Sequence, residues 1–340
     1  MRTEVSKFGL HEPTSLSEAV SLLSQYGPEA AVISGGSDII SRNKNRIKQH
    51  MFTHLIDISG LSLSGITNNS NSIAIGATTP INQVATDPNV NSAMPVLAQA
   101  AGQVATLQIR NVGTVAGDVL QEVWCPYLRN NYDCWRNGGN VCYGAIGDNR
   151  YYHSIFGGRL CYANHAGDIG PALTALGASA TIQGSIGQRT ISMNELLPGI
   201  SVIGGVVKEN TVGQNEILTQ FNVPIPSSTS KSIYYKIRDR GTWDFALASA
   251  AVILDFSGSN ISSASIVLGG VSVIPHRALA AESYLIGQSI SGSNAEQVFT
   301  GAAKAAVSDA TPLTYGTGNA YRMTLAQGAV KKALRAISQM

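Results

Sequence analysis

The chain predicts an α+β fold, and three observations carry that reading. Its last third places strand-like runs before helix-like runs, the segregated order of an α+β domain. Its first part alternates helix and strand around a glycine-rich turn, and a Pro/Ser cluster, IPSSTSKS, stands between the two as the expected linker. With 340 residues and 44% hydrophobic content the chain can build two or three domains with real cores.

Taken in order, Ser15 and Glu18 stand at capping-box spacing, which predicts a helix from about Leu16 to Tyr26 that stops at Gly27. AAVISGGSDII, Ala30 to Ile40, is an apolar strand-like run broken by Gly35-Gly36-Ser37-Asp38. HLIDIS and SIAIGA read as strands, and Thr79-Pro80 reads as the N-cap and first position of a helix. A helical pattern follows from about Ala93 to Thr106. QIRNVGTVAGDVLQ, Gln108 to Gln121, is β-like and punctuated by Gly113 and Gly117, where the backbone must approach something closely. Asp168 is placed to N-cap a short helix through PALTAL. Strands SATIQGS, QRTISM and EILTQFNVPIP close a second unit near residue 226. After the linker come strands SIYYKIRD, FALASAAVILDF and SASIVLGGV, then helices ALAAESYLIG, NAEQVFTGAAKAAV and NAYRMTLAQGAVKKALRAI. There is no internal repeat.

Net charge is +2 with 13% charged residues, so no basic field for nucleic acid exists and small molecules or proteins are the expected partners. The first residues contain no apolar core of signal-peptide length, and no window has the roughly 18 apolar residues of a membrane span. The expected compartment is the cytoplasm, or the periplasm if a partner subunit carries the chain there. Low charge beside 35 glycines suggests a surface covered in an assembly.

All four cysteines, Cys125, Cys134, Cys142 and Cys161, crowd into one stretch with gaps of eight, seven and eighteen residues. A shared metal centre is the first reading of that clustering. Soft thiolates suit an iron-sulfur cluster; zinc, disulfides and scattered core cysteines are the rivals, though structural zinc sites usually show C-x(2-4)-C pairs, which are missing. His153 and His165 flank Cys161 and are read as structural or solvent-facing, since four cysteines already satisfy a cubane. Trp124 and Trp135 are read as packing that shields the centre. Gly35-Gly36-Ser37 leaves consecutive backbone N–H groups bare, which suits a diphosphate, although G-x-G-x-x-G is missing and a plain strand-to-helix turn reads the same way. For Thr114 to Asp118 the bland alternative is a β-bulge.

In order along nearly the whole chain, SGGSDII, QIRNVGTVAGDVL, GDIGPALTALGA, EILTQFNVP, YYKIRDRGTWDFALAS, LGGVSVIPHRA and NAYRMTLAQGAVKKAL resemble the flavin-binding subunit of the xanthine dehydrogenase family of molybdenum hydroxylases. The cysteine stretch resembles the subgroup with an added 4Fe-4S cluster, as in bacterial aldehyde oxidoreductases and 4-hydroxybenzoyl-CoA reductase. The resemblance implies a vanillyl-alcohol-oxidase-type (PCMH-type) FAD-binding fold over 1–226, its subdomains about 1–90 and 91–226 with a cluster insert at 122–162, and a flavoprotein C-terminal domain over 228–340. It implies that Val32, Ile33, Ser34, Gly35, Gly36, Ser37, Asp38 and Ile39 form the first FAD loop, around the pyrophosphate and adenosine. It also implies that Thr114, Gly117 and Asp118 belong to a second loop against the flavin, where the family pattern is T-[IV]-G-G-N. Ala116 and Asp118 depart from that pattern: a methyl narrows the cofactor's approach and a carboxylate disfavours a nearby phosphate. Asp168 is implied beside the ribose and adenine side. Lys236 is implied to reach toward the flavin, where a cation stabilises the anionic reduced ring. Cys125, Cys134, Cys142 and Cys161 are implied as the cluster ligands.

The implied role is an electron-transfer component with no catalytic residue of its own for the organic substrate. FAD and a 4Fe-4S cluster are its cofactors, a molybdenum-cofactor large subunit and a 2Fe-2S small subunit its partners, and an external acceptor takes the electrons. A stand-alone FAD-dependent oxidase and a scaffold that has lost FAD are the alternatives.

Overall fold

Ser15 accepts the Glu18 amide at 3.2 Å and opens the helix Leu16–Tyr26, and Gly27, at φ +52°, ends it in a conformation that favours glycine. Ala19, Val20 and Leu23 of this helix pack with Ala30, Ile56 and Ile58. Ala30 and Ile56 belong to a three-stranded parallel sheet ordered Gly9–His11, His54–Asp57, Ala30–Ile33, and Ile58 follows its middle strand. The computed structural model describes residues 5–47, 51–203 and 206–340.

A second, antiparallel sheet runs Ile66–Asn68, Ser72–Gly76, Glu216–Pro224, Ser179–Gly184, Gly187–Ser192. The C-terminal sheet is antiparallel too, ordered Lys231–Ile237, Ala248–Ser257, Asn260–Gly269, His276–Arg277. It is covered on both faces, and the period of two along Ala248–Ser257 shows how. Ala251 and Ile253 join the core that holds the helices Pro95–Gly102 and Ile169–Ala175. Ala250, Val252 and Leu254 face the helices Leu279–Leu285, Ala295–Ala305 and Tyr321–Ile337 instead. On Lys231–Ile237 the same alternation turns Ser232, Tyr234 and Lys236 inward.

Three expectations need correction. Gln108–Gln121 is not a strand but two short helices, Leu107–Val112 and Val115–Val119, each opened by a threonine whose hydroxyl accepts an amide: Thr106 from Ile109 and Thr114 from Gly117. The helical run from Ala93 divides into Pro88–Ala93 and Pro95–Gly102, because the residue before a proline, Met94, is pushed out of helical conformation. Pro80 sits one place before its helix, Ile81–Thr86, with an extended ψ of 138°.

Candidate functional site

Strand Ala30–Ile33 delivers the first glycine loop to the edge of an open cleft with about 260 Å³ of space for a ligand. Val32, Ile33, Ser34, Gly35, Gly36, Ser37, Asp38 and Ile39 all line it, and so do Gly113, Thr114, Ala116 and Gly117 from the second loop. The two glycine loops therefore face one another across a single space.

Gly35 is what lets them meet. A Cβ built there would lie 1.9 Å from the Val112 carbonyl oxygen, so no side chain fits without separating the loops. Gly36 is needed for a different reason: its φ of +73° is a left-handed conformation, while its Cβ would meet only the ends of Ile33 and Ile40 at 3.5 and 3.7 Å. Asp38 ties the first loop to the chain beyond the second, its carboxylate accepting the Glu122 amide at 2.9 Å and a guanidinium N–H of Arg129 at 3.0 Å. Asp38 also pairs with Arg42, and Glu216, the other acid of the lining, pairs with Arg189, so the charges at the wall are balanced.

Asp118, Asp168 and Lys236 do not line this cleft; they form a buried group behind the second loop. Asp118 follows the helical turn inward, and its carboxylate accepts the Ile169 amide at 2.9 Å and the Gln121 side-chain amide at 3.2 Å. Burial, and then the neighbouring Asp168, raise its pKa to about 7. The Asp118 carboxylate therefore does not line the cleft. Ala116, in contrast, does put its methyl at the cleft wall.

Asp168 makes no side-chain cap on its helix. Its oxygens accept the Tyr234 hydroxyl at 2.6 Å and the Lys236 ammonium at 2.6 Å, and Lys236 also donates to the Gln103 carbonyl at 3.1 Å. Tyr234 escaped notice in the sequence. It stands two residues before Lys236, on the same strand face, which is the signal that pairs them.

The four cysteines also converge. Cys125, Cys134, Cys142 and Cys161 line one small pocket with Tyr127, Leu128, Trp135, Arg136 and Tyr143. Cys125, Cys134 and Cys142 each stand immediately before a short helical turn, Pro126–Arg129, Trp135–Asn137 and Tyr143–Ile146. All four are free thiols, so the disulfide reading fails. Among the described residues no three His, Cys, Asp or Glu side chains form a group that could hold a metal ion, although the four thiols share one pocket. Burial pushes the Cys125 thiol up to about 12 and raises Cys134 and Cys161 as well, so thiolates here call for positive charge at the pocket's centre.

Neither histidine is solvent-facing. His153 is buried with Nε2 3.5 Å from Cys125 Sγ, its pKa lowered to about 4 by burial, and His165 Nε2 meets the Val119 carbonyl at 2.9 Å. Trp135 lines the pocket as expected. Trp124 does not; it lies against Phe245 and beneath the Arg129 guanidinium. Arg136, two residues after Cys134, was missed, and it donates from Nε to Cys161 Sγ at 3.2 Å.

A family described as the FAD binding domain in molybdopterin dehydrogenase matches residues 6–226, and the CO dehydrogenase flavoprotein C-terminal domain matches residues 233–337. The chain is 28% identical to the carbon monoxide dehydrogenase medium chain of Hydrogenophaga pseudoflava, covering 97% of this chain and 96% of that one. It is 30% identical to the aldehyde oxidoreductase FAD-binding subunit of Escherichia coli (strain K12) over 81% of this chain and 85% of that one. Among solved structures it is similar to carbon monoxide dehydrogenase from Hydrogenophaga pseudoflava, with a TM-score of 0.75 and 28% identity over 98% of both chains. Quinoline 2-oxidoreductase from Pseudomonas putida 86, at 22% identity, TM-score 0.76 and 99% coverage of both chains, shares the fold.

Proposed function

We propose, from the premise that this chain belongs to the FAD-binding subunits of the molybdopterin dehydrogenase family, that it is the electron-transfer flavin subunit of a molybdenum hydroxylase complex. The carrying observation is the cleft between the two glycine loops, where Gly35 allows close approach of Val112. FAD, when bound, supplies the ability to accept electrons in pairs and pass them on singly. The loop Ser34–Ser37 offers backbone N–H donors to its diphosphate, and Val32, Ile33, Ile39, Thr114 and Gly117 shape the wall around it. Asp118, Asp168, Tyr234 and Lys236 hold the second loop from behind and fasten it to the C-terminal sheet.

The second cofactor of this reading is a 4Fe-4S cluster held by Cys125, Cys134, Cys142 and Cys161, supported by their shared pocket. Centres of both kinds in one chain suit a relay between iron-sulfur groups and an external acceptor. The partners are a molybdenum-cofactor large subunit, which acts on the organic substrate, and a 2Fe-2S small subunit. Relatives named for carbon monoxide, aldehydes and nicotinate leave the substrate class to those partners.

The test is a purification with and without partners. The isolated chain should show flavin absorbance and release stoichiometric FAD, yet turn over no aldehyde, purine or aromatic acyl-CoA. Adding both partners should restore turnover of one class. Turnover by the homogeneous chain alone would make it an oxidase, and a colourless chain would make it a scaffold.

A further inference from the structure

The pocket of cysteines contains one positive charge. Arg136 is 2% exposed, and its guanidinium is fully engaged: Nε donates to Cys161 Sγ at 3.2 Å, Nη1 to Glu122 Oε1 at 2.9 Å and to the Val207 carbonyl at 3.3 Å, and Nη2 to Glu209. Glu122 and Glu209 are buried as well, at 5% and 4%. Between these two carboxylates the guanidinium is a cation, as an arginine always is. Three buried charges beside one cysteine are costly to assemble and need a reason. Satisfying Cys161 alone would not require them, since the Ala163 amide already donates to its sulfur at 3.4 Å.

We propose that Arg136 is a positioning residue that sets the reduction potential of the centre bound by the four cysteines, with Glu122 and Glu209 as its counterweights. This rests on the cluster reading above. One-electron reduction adds one negative charge to the centre, and the potential of such a centre follows the net charge around it and the hydrogen bonds to its sulfurs. Arg136 supplies both to Cys161, favouring the reduced form, while the two carboxylates oppose it. The group also touches the flavin side of the molecule: Glu122, which receives Arg136 on its side chain, donates its amide to Asp38 on the cleft wall. A hydrogen-bonded path of Cys161, Arg136, Glu122 and Asp38 thus joins the pocket to the cleft.

The experiment is an EPR-monitored redox titration of the anaerobically purified chain, with iron and acid-labile sulfide measured alongside. Arg136→Gln should lower the midpoint, with a tenfold change in the one-electron equilibrium, about 59 mV, as the expected scale. Glu209→Gln should move it in the opposite direction with iron content unchanged. Opposite signs are what a merely structural role would not produce. If Arg136→Gln fails to retain iron, Glu209→Gln decides alone: an upward shift supports the proposal and an unmoved midpoint overturns it. Midpoints that stay put in both variants, or move together, overturn it while leaving the cluster in place. Wild-type protein without iron or sulfide overturns the cluster reading itself, and this inference with it.

Discussion

The cleft and the cysteine pocket lie at opposite ends of one hydrogen-bonded path and are built on opposite principles. The cleft is open, its loop of small residues offers backbone groups, and its few charges are paired at the wall. The pocket is smaller and lined by four cysteine side chains from one stretch of chain, and a guanidinium and two glutamates are buried beside it. A cofactor bound by backbone needs room, so glycine is the determining residue there. A centre bound by thiolates needs charge balance, so what determines it is the ionic surroundings.

The largest expected effect breaks the cleft and spares the pocket. Gly35→Ala forces a methyl against the Val112 carbonyl, and the purified variant should lose its flavin absorbance while keeping its iron. Gly36→Ala meets only flexible side-chain ends, so it carries a left-handed strain of roughly 1–2 kcal/mol and should retain a weakened fraction of FAD. Equal loss in the two variants would show that close approach of the loops is not what matters.

Cys142→Ser is the reciprocal break. Cys142 is the most exposed of the four cysteines, and on the proposed cluster reading its loss should lower iron and sulfide together from about four each per chain while FAD stays bound. Stoichiometric zinc without sulfide in the parent protein would instead mark a single-ion site.

Behind the second loop, Lys236→Met removes the cation from a wholly buried pair and leaves Asp168 facing Asp118. A cost of about 3–5 kcal/mol in chemical denaturation is expected from an uncompensated buried carboxylate. A loss below about 1 kcal/mol, the scale of an exposed pair, would show that the pair is hydrated.

The last effect is a pH slope. Because the folded-state pKa of Asp118 is raised, its contribution to stability is fully present below the unfolded value and is lost as pH rises through about 7. Asp118→Asn should flatten the stability profile between about pH 4 and pH 7 by an amount on the order of 4 kcal/mol. The variant should match or exceed the parent above pH 7. A parallel profile would mean that Asp118 is ionised in the folded chain.

Legibility followed the same division. The first loop was assigned residue by residue on the family resemblance, since a glycine pair after an apolar strand reads equally as a plain turn, and all eight of its residues reach the cleft. Asp118 and Lys236 were read as facing the same space and do not line it. A helical turn at Val115–Val119 swings Asp118 inward, and the inward face of Lys231–Ile237 delivers Lys236 to Asp168. The β-like reading of Gln108–Gln121 hid that turn, since Val, Ile and Gly suggest a strand while two threonine caps favour helix.

By itself the sequence determined the element order, the α+β class, the glycine loop and the four thiols, because periodicity, capping and residue chemistry act locally along the chain. Only the tertiary structure decided which charges face each other. Arg136 between Glu122, Glu209 and Cys161, and Asp168 between Tyr234 and Lys236, join residues up to 73 positions apart. Such pairings depend on where burial removes water, and burial is a property of the packed molecule.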